Sequence, residues 1–282
     1  MNWQLLVLIS VLTYAISVLL QKVILKDDDS DPIAYSIVFS LLTGVVTGVF
    51  ALINGFHMPN LLAIWPNILL MVFCYGVGNI LIFNALKIID ASEFTILFTT
   101  RAIWTVAGAL LFLGEQYTFL KAFGALLIII GVIVVSWKSQ KLRFGKGELL
   151  SLGAGALFGI AFTNDAYIVQ HADVMSYQTI AFILPALAVW LFKPKSTVKM
   201  MPLLKPKTAV RLLLLAVFYS ISAITVFLAY QAGHNASQIA PLVQTTTIVT
   251  VILSIIFLHE RNALFQKSIG TILSFIGIIL VG

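Results

Sequence analysis

The chain has 282 residues, of which 60% are hydrophobic and only 10% are Asp, Glu, Lys or Arg. Because a soluble domain carries roughly 25% charged residues, this composition excludes a soluble globular protein. The formal net charge is +6, yet no basic run is interleaved with aromatic residues, so nothing in the sequence indicates nucleic-acid binding.

The apolar residues form ten blocks, each long enough to cross the roughly 30 Å hydrocarbon core of a bilayer as a helix. In chain order the blocks lie near 2–21, 33–53, 66–87, 91–113, 117–137, 147–170, 175–192, 208–231, 236–258 and 263–281. Little chain remains between them, which leaves no room for a soluble domain. We therefore predict an all-α membrane protein with ten transmembrane helices.

Segments of the first half recur in the second half about 145 residues later. The repeated pairs are Ala91-Ser92-Glu93 with Ala236-Ser237-Gln238, Leu113-Gly114-Glu115-Gln116 with Leu258-His259-Glu260-Arg261, and Gly124 and Gly131 with Gly270 and Gly277. We place two five-helix repeats at residues 1–140 and 145–282. Because five is odd, the second repeat enters the bilayer from the opposite side, so the repeats are inverted around a central cavity near the midplane.

Glycines at regular spacing predict close approaches between helices. Gly44 and Gly48 in block 2, and Gly155 and Gly159 in block 6, have the small-xxx-small spacing that lets two backbones meet in lipid. The seven-residue glycine pairs in blocks 5 and 10 line one face of each block. We interpret those faces as packing seams within the chain, with a homodimer through them as the alternative.

The distribution of basic residues predicts the orientation. Fifteen of the 17 Lys and Arg residues lie in or beside the loops after blocks 1, 3, 5, 7 and 9, here called the odd side. The even side, which holds both termini, carries only Lys121. The positive-inside rule therefore places the odd side in the cytoplasm and both termini outside, for a multi-pass protein of the plasma (inner) membrane.

The segment Leu113-Gly114-Glu115 with the Gly124 and Gly131 pattern, together with its copy around Glu260, resembles the helix 4–5 and 9–10 signature of the drug/metabolite transporter superfamily. The whole chain is most similar to the EamA-like ten-helix members of that superfamily. The resemblance implies two inverted five-helix repeats around a central cavity and transport of small metabolites or drugs by alternating access. It also implies termini in the cytoplasm, the reverse of the charge count.

Arg101 is a cation at the centre of block 4. A charge facing lipid there costs at least about 2.5–3.5 kcal/mol, so the side chain should face a wet or paired interior. Trp104 and Thr105 share its face at helical spacing. This combination predicts a pocket wall for an anionic or carboxylate-bearing ligand, with an internal ion pair as the alternative. In the second repeat the equivalent position is Thr246.

Asp165 and its neighbour Asn164 lie inside block 6. We expect Asp165 either to bind a coupling proton or to form an ion pair with Arg101. An interfacial Asp in contact with water at the helix end is the alternative.

Other polar residues at membrane depth complete the predicted substrate site. A buried amide or hydroxyl in lipid needs a partner, although Ser and Thr often satisfy a carbonyl of their own helix, so packing stays the alternative for each. These residues are Tyr75 and Asn79 in block 3, Tyr219 in block 8, and Gln244 and Thr246 in block 9. Glu115 and Glu260, though repeated, are interpreted as structural, each capping the helix that follows it.

Enzyme chemistry has little support in the sequence. The acidic run 27–31 fits a Mg²⁺-diphosphate motif, but no second copy exists, and an acidic turn before Pro32 explains it better. Cys74 is the only cysteine, which excludes a disulfide or a thiolate metal site. We expect no metal, no cofactor and no catalytic residues. A transporter of a small-molecule substrate is favoured over a lipid-linked carrier flippase or enzyme and over a non-transporting assembly subunit.

Overall fold

The chain folds almost entirely into α-helices. A computed structural model describes residues 3–25, 31–61, 63–112, 118–138, 141–142, 144–169, 172–233, 243 and 245–281. The helices in these ranges are α1 (Trp3–Ile24), α2 (Pro32–Ile53), α3 (Trp65–Ile88), α4 (Ala91–Phe98), α5 (Arg101–Phe112), α6 (Phe119–Ser136), α7 (Lys146–Ile168), α8 (Val174–Phe192), α9 (Ser196–Met200), α10 (Pro206–Gly233), α11 (Thr246–Phe257) and α12 (Leu264–Val281). A 3-10 helix covers Met201–Leu204, and Trp137–Lys138 pairs with Lys141–Leu142 as a two-residue antiparallel ladder.

The helices have the length and polarity of membrane spans. Among the described residues, α1, α2, α3, α8 and α10 contain five segments long and apolar enough to cross a bilayer, and α6, α11 and α12 are shorter apolar helices. Large apolar side chains face outward, with Phe119 and Phe192 each 85% exposed. A surface of this kind suits lipid and not water. The number, length and apolar character of these helices confirm the prediction of a multi-pass membrane protein.

The fourth predicted block is not one continuous helix. It is α4 followed by α5, joined at Thr99 and Thr100. The amides of Thr99 and Thr100 donate to carbonyls three residues back, at 3.2 Å to Ile96 and 3.3 Å to Leu97. Both hydroxyls donate to the same two carbonyls, at 2.6 and 2.9 Å. The expected single helix over 91–113 is therefore corrected to two helices with a tight 3-10-type turn between them, which the threonine side chains stabilise.

The most extensive contacts between a helix of the first half and a helix of the second half have counterparts in which the equivalent helices of the two halves are exchanged. Helix α1 packs along α10, and α7, which occupies the position of α1 in the second half, packs along α3. Helix α1 also packs on α11, and correspondingly α7 packs on α4 and α5. The pairs α2–α8 and α6–α12 each join counterparts. Two similar halves related by a two-fold axis produce this reciprocity.

The loops collect at two opposite ends of the helix bundle. At the odd end, Lys199 after α8 forms an ion pair with Asp31 before α2, with Nζ and Oδ2 2.6 Å apart. At the even end, the backbone N–H of His57 after α2 donates to Ser176 Oγ at the start of α8, 2.9 Å away. The division of loops into an odd and an even side therefore matches the contacts between them.

Glycines mark the seams between helices. A Cβ added at Gly277 on α12 would lie 2.6 Å from the carbonyl oxygen of Gly124 on α6, and one at Gly131 would lie 2.9 Å from that of Gly270. The backbones of α6 and α12 therefore touch, which only glycine permits. The predicted packing seam is confirmed as a contact within one chain, and the homodimer stays a prediction.

Candidate functional site: a central cavity with an arginine

The turn between α4 and α5 places Arg101 at the junction of the two halves. Gly155 and Gly159 on α7 allow this turn to lie directly against α7. A Cβ at Gly155 would lie 2.6 Å from Thr100 Oγ1, and one at Gly159 would lie 2.5 Å from the carbonyl oxygen of Arg101. The predicted close approach through these two glycines is confirmed, and its partner is the helix that carries Arg101.

The guanidinium of Arg101 lies between aromatic rings. Its Cζ is 5.0 Å from the ring centre of Phe98 and 5.3 Å from that of Phe162. Within the described part of the chain, no carboxylate forms an ion pair with it. Cation–π contacts stabilise a guanidinium by about 0.5–2 kcal/mol each, but the rings leave its charge uncompensated.

A small cavity of about 20 Å³, enough for about one water molecule, lies beside Arg101. The first half contributes α1, α4 and the start of α5, and the second half contributes the start of α11. The lining includes Tyr14, Phe94, Phe98, Arg101, Thr246 and Thr247. The positive charge of Arg101 and the aromatic rings on the other walls suit a ligand group that is negatively charged and attached to an apolar body.

Two threonines of the cavity wall donate their hydroxyl protons to backbone carbonyls three or four residues earlier in the chain. Thr95 Oγ1 donates to the Ala91 carbonyl at 2.8 Å, and Thr246 Oγ1 donates to the Val243 carbonyl at 2.6 Å. Such oxygens can still accept a hydrogen bond but have no proton left to donate. Among the described lining side chains, Arg101 is therefore the charged donor available to a ligand.

Of the other residues predicted to lie near Arg101, one lines the cavity and two do not. Thr246 lines the cavity, on the opposite wall to Arg101. Thr105 Oγ1 donates to the carbonyls of Arg101 at 3.0 Å and Gly159 at 3.3 Å, so it joins α5 to α7. Trp104 is 46% exposed and is not part of the cavity lining, and its Cβ lies against Gly159 of α7. Gln244 lies outside the described residues.

Asp165 belongs to a second polar cluster, near the C-terminal end of α7. Its Oδ2 accepts from the Tyr75 hydroxyl and its Oδ1 from the Tyr177 hydroxyl, both at 2.5 Å. The expected Arg101–Asp165 ion pair is not formed, because the tyrosines occupy the carboxylate while the guanidinium lies over the rings of Phe98 and Phe162. Tyr177 had no signal in the sequence beyond being a tyrosine in an apolar block.

Asn164, next to Asp165, joins the start of α3 instead of facing the cavity. Its amide nitrogen donates to the Asn67 carbonyl at 2.9 Å, and its Oδ1 accepts from the Asn67 side chain at 2.7 Å. Because an amide in lipid needs both bonds satisfied, this reciprocal pair has a structural explanation.

Asn79 and Tyr219 are not among the residues that line the cavity beside Arg101. Asn79 lines another cavity, of about 10 Å³, together with Ser40 and Pro185, and its Nδ2 is 3.4 Å from Ser40 Oγ. Tyr219 on α10 packs against Tyr14, with ring centres 5.7 Å apart, and so supports a residue of the central cavity.

Glu260, predicted to cap the helix that follows it, caps a helix of the other half. Its carboxylate accepts from the backbone N–H groups of Ala91 at 2.8 Å and Ser92 at 3.0 Å, and from Ser92 Oγ at 2.6 Å. The structural role is confirmed and the capped helix is corrected to α4. The two repeated segments were the signal, since the Glu of one repeat binds the Ala-Ser of the other. Glu115 and 236–242, including Pro241, lie outside the described residues.

Two lysines bind the same turn at the odd end. Lys267 on α12 is 4% exposed, and its Nζ lies 2.7 Å from Asp90 Oδ2. Lys22 at the end of α1 donates to the carbonyls of Leu86 at 2.7 Å and Ile89 at 2.6 Å. Together with Glu260 they hold the segment that joins α3 to α4. In the sequence, nothing distinguishes these lysines from the other loop charges.

The fold and the cavity define a helical membrane protein of two similar halves, with a small cavity beside Arg101 that both halves line. The chain belongs to the EamA-like transporter family, whose model matches residues 1–137 and again residues 145–282. It is therefore a membrane transporter of the drug/metabolite type, and the resemblance drawn from the repeated segments is confirmed.

One solved structure, described as "Crystal structure of protein", has a similar fold. It is 13% identical to this chain, covers 99% of this chain and 95% of its own, and superposes with a TM-score of 0.63. At this identity the likeness concerns the fold alone. No curated protein matches the chain.

Proposed function

We propose that the protein is a secondary transporter that moves a small polar or amphipathic metabolite by alternating access, and that Arg101 binds a negatively charged group of that metabolite in the central cavity. The observation that carries this proposal is a guanidinium at a cavity between the two halves with no carboxylate bonded to it among the described residues. A charge left uncompensated in a membrane protein marks a ligand site by default.

The break before Arg101 supports a transport role. Helix α4 ends at Phe98 and α5 begins at Arg101, at the wall of the cavity. Discontinuous helices are typical of midplane binding sites in secondary transporters. In this proposal α4 and α5 together make one of ten crossings, and the inverted repeats comprise residues 1–140 and 145–282.

The proposal is tested with three probes that share a benzyl or phenyl ring and differ in head-group charge. Benzenesulfonate is a permanent anion, benzyltrimethylammonium a permanent cation, and benzyl alcohol is neutral. We expect benzenesulfonate alone to raise the unfolding temperature of the purified protein and to exchange across vesicle membranes in counterflow.

Arg101→Gln should weaken benzenesulfonate binding about 10- to 100-fold, because one charge-assisted hydrogen bond contributes about 1.5–3 kcal/mol. Arg101→Lys should retain part of the affinity. The control is Arg211→Gln on α10, which removes the same charge outside the cavity. Binding that ignores Arg101→Gln, or a preference for the cation, would contradict the proposed site, and binding without counterflow would contradict transport.

A further inference from the structure

Asp165 has the hydrogen bonds of an ionised carboxylate. Each of its oxygens accepts from a phenol, Oδ2 from Tyr75 and Oδ1 from Tyr177, at 2.5 Å. A protonated carboxyl would donate from one oxygen and force the phenol opposite to turn. Tyr75 belongs to α3 in the first half, whereas Asp165 and Tyr177 belong to the second half. Adding one proton therefore changes either the bond to Tyr177 or the bond to Tyr75, and the second of these joins the two halves.

No cation is bonded to this carboxylate within the described part of the chain. The titratable side chains near it are Cys74 and Tyr75 on α3 and Tyr177 on α8. Asp173, which caps α8, is occupied by the N–H and hydroxyl of Ser176. Helix α5 brings Arg101 to α7, but its guanidinium lies over aromatic rings, and Glu93 on α4 is buried near the odd end.

The ionised and protonated forms of Asp165 are of comparable free energy by simple accounting. A lone carboxylate at membrane depth costs at least about 2.5–3.5 kcal/mol. Two hydrogen bonds to a charged acceptor return about 1.5–3 kcal/mol each. The opposing contributions are of the same size, so neither form of Asp165 is strongly favoured.

The charges of Arg101 and Asp165 give a physical reason for one-to-one coupling. Without ligand, Arg101 carries one positive charge and ionised Asp165 one negative charge, and the two sum to zero. Binding an anion at Arg101 and a proton at Asp165 leaves the sum at zero. Binding either alone leaves a net charge in the membrane interior, which is costly during a conformational change through a low-dielectric region.

Packed rings connect the two sites. The ring of Tyr75 lies 5.1 Å from that of Phe158, which lies 5.3 Å from that of Phe98, centre to centre. Phe98 in turn contacts the guanidinium of Arg101 at 5.0 Å. Tyr75, a partner of Asp165, is therefore connected through packed rings to side chains that line the cavity.

We infer that Asp165, held between Tyr75 and Tyr177, is a proton-binding site that couples anion binding at Arg101 to the uptake of one proton. The proton forms an O–H bond to a carboxylate oxygen on one side of the membrane and leaves it on the other. Proton binding at Asp165 does not depend on the proposed function, whereas the coupling of that proton to transport rests on it.

The first experiment measures proton binding without any ligand. Infrared spectra of the protein in lipid are recorded across pH, and we expect a protonated carboxyl band that grows as the pH falls. Asp165→Asn should remove this band, and the matched control Asp173→Asn, an acid at the same end of the bundle, should keep it. A band that survives Asp165→Asn would overturn the site.

Tyr177→Phe keeps the acid and removes one donor to its ionised form. The carboxyl band should therefore reach half its height at a higher pH than in the native protein. This variant separates loss of the proton site from misfolding of Asp165→Asn, since it retains a measurable transition. An unchanged transition would contradict the role of the phenols.

The second experiment measures coupling through the affinity for benzenesulfonate, which stays ionised throughout. Linkage requires the affinity to fall by up to tenfold per pH unit above the Asp165 transition, whereas Asp165→Asn should bind with the same affinity at every pH. A pH-independent native affinity would overturn coupling. A titrating band with no anion binding would instead contradict the proposed function and leave the proton site intact.

Discussion

Glu260→Ala should lower the free energy of unfolding by about 3–5 kcal/mol, because it leaves two backbone N–H groups and a hydroxyl without their acceptor at a buried place. Glu260 is 7% exposed, and its oxygens are the acceptors for Ala91 N and Ser92 N. Reversible unfolding in mixed micelles, followed by circular dichroism, measures the change.

Asp173→Ala is the control for this prediction. Asp173 also caps a helix, accepting from Ser176 N at 2.8 Å, but it lies at an exposed position. Removing an ordinary N-cap costs about 1 kcal/mol. Equal losses for both variants would show that Glu260 acts as a local cap and does not hold the two halves together. Glu260→Gln, which keeps one acceptor oxygen, should fall between the two.

Gly159→Ala should separate α5 from α7 and abolish benzenesulfonate binding. Its Cβ would meet the carbonyl oxygen of Arg101 at 2.5 Å and the backbone nitrogen of Thr105 at 3.0 Å. Backbone atoms cannot turn aside as a flexible side chain does, so α5 must shift. Overpacking of this kind costs about 1–3 kcal/mol, and the shift displaces Arg101 from the cavity wall.

Gly153→Ala on the same helix is the matched control. Its Cβ would approach only Leu81 Cδ1, at 3.3 Å, which is the end of a flexible side chain. An alanine in a helix interior is favoured over glycine by about 0.5–1 kcal/mol. We therefore expect unchanged binding and equal or higher unfolding temperature. Normal binding in Gly159→Ala would contradict the tight contact between α5 and α7.

The repeated segments carried most of what was predictable about the fold. Ala91-Ser92 and its copy, and Glu260 with its counterpart Glu115, indicated two similar halves before any contact was known. The glycines of blocks 5 and 10 indicated a seam, since a spacing that leaves one helix face without side chains is useful only against another backbone. The periodicity did not indicate which helix each of these faces packs against.

The candidate site was predicted in part. Arg101 was identified because a cation in an apolar block needs a polar surrounding, and Thr246 because it occupies the equivalent position. Trp104 was placed on the same face by helical spacing. Helix α5 runs unbroken from Arg101 to Trp104, but spacing alone does not determine which part of that face meets the cavity and which part meets α7. Tyr177 was missed because a tyrosine in an apolar block fits packing as well as hydrogen bonding.

By itself the sequence determined that the chain crosses a membrane, that its halves are similar and that one cation lies at depth, because hydrophobicity, repetition and charge are properties of residues in order. The tertiary structure alone decided that Glu260 binds Ala91 and Ser92, that Asp165 lies between two tyrosines and that Arg101 forms no ion pair with an acid among the described residues. These pairings join residues from different helices. In lipid, such pairings depend on which helices approach closely enough to satisfy each polar group, and that is a property of the packed bundle.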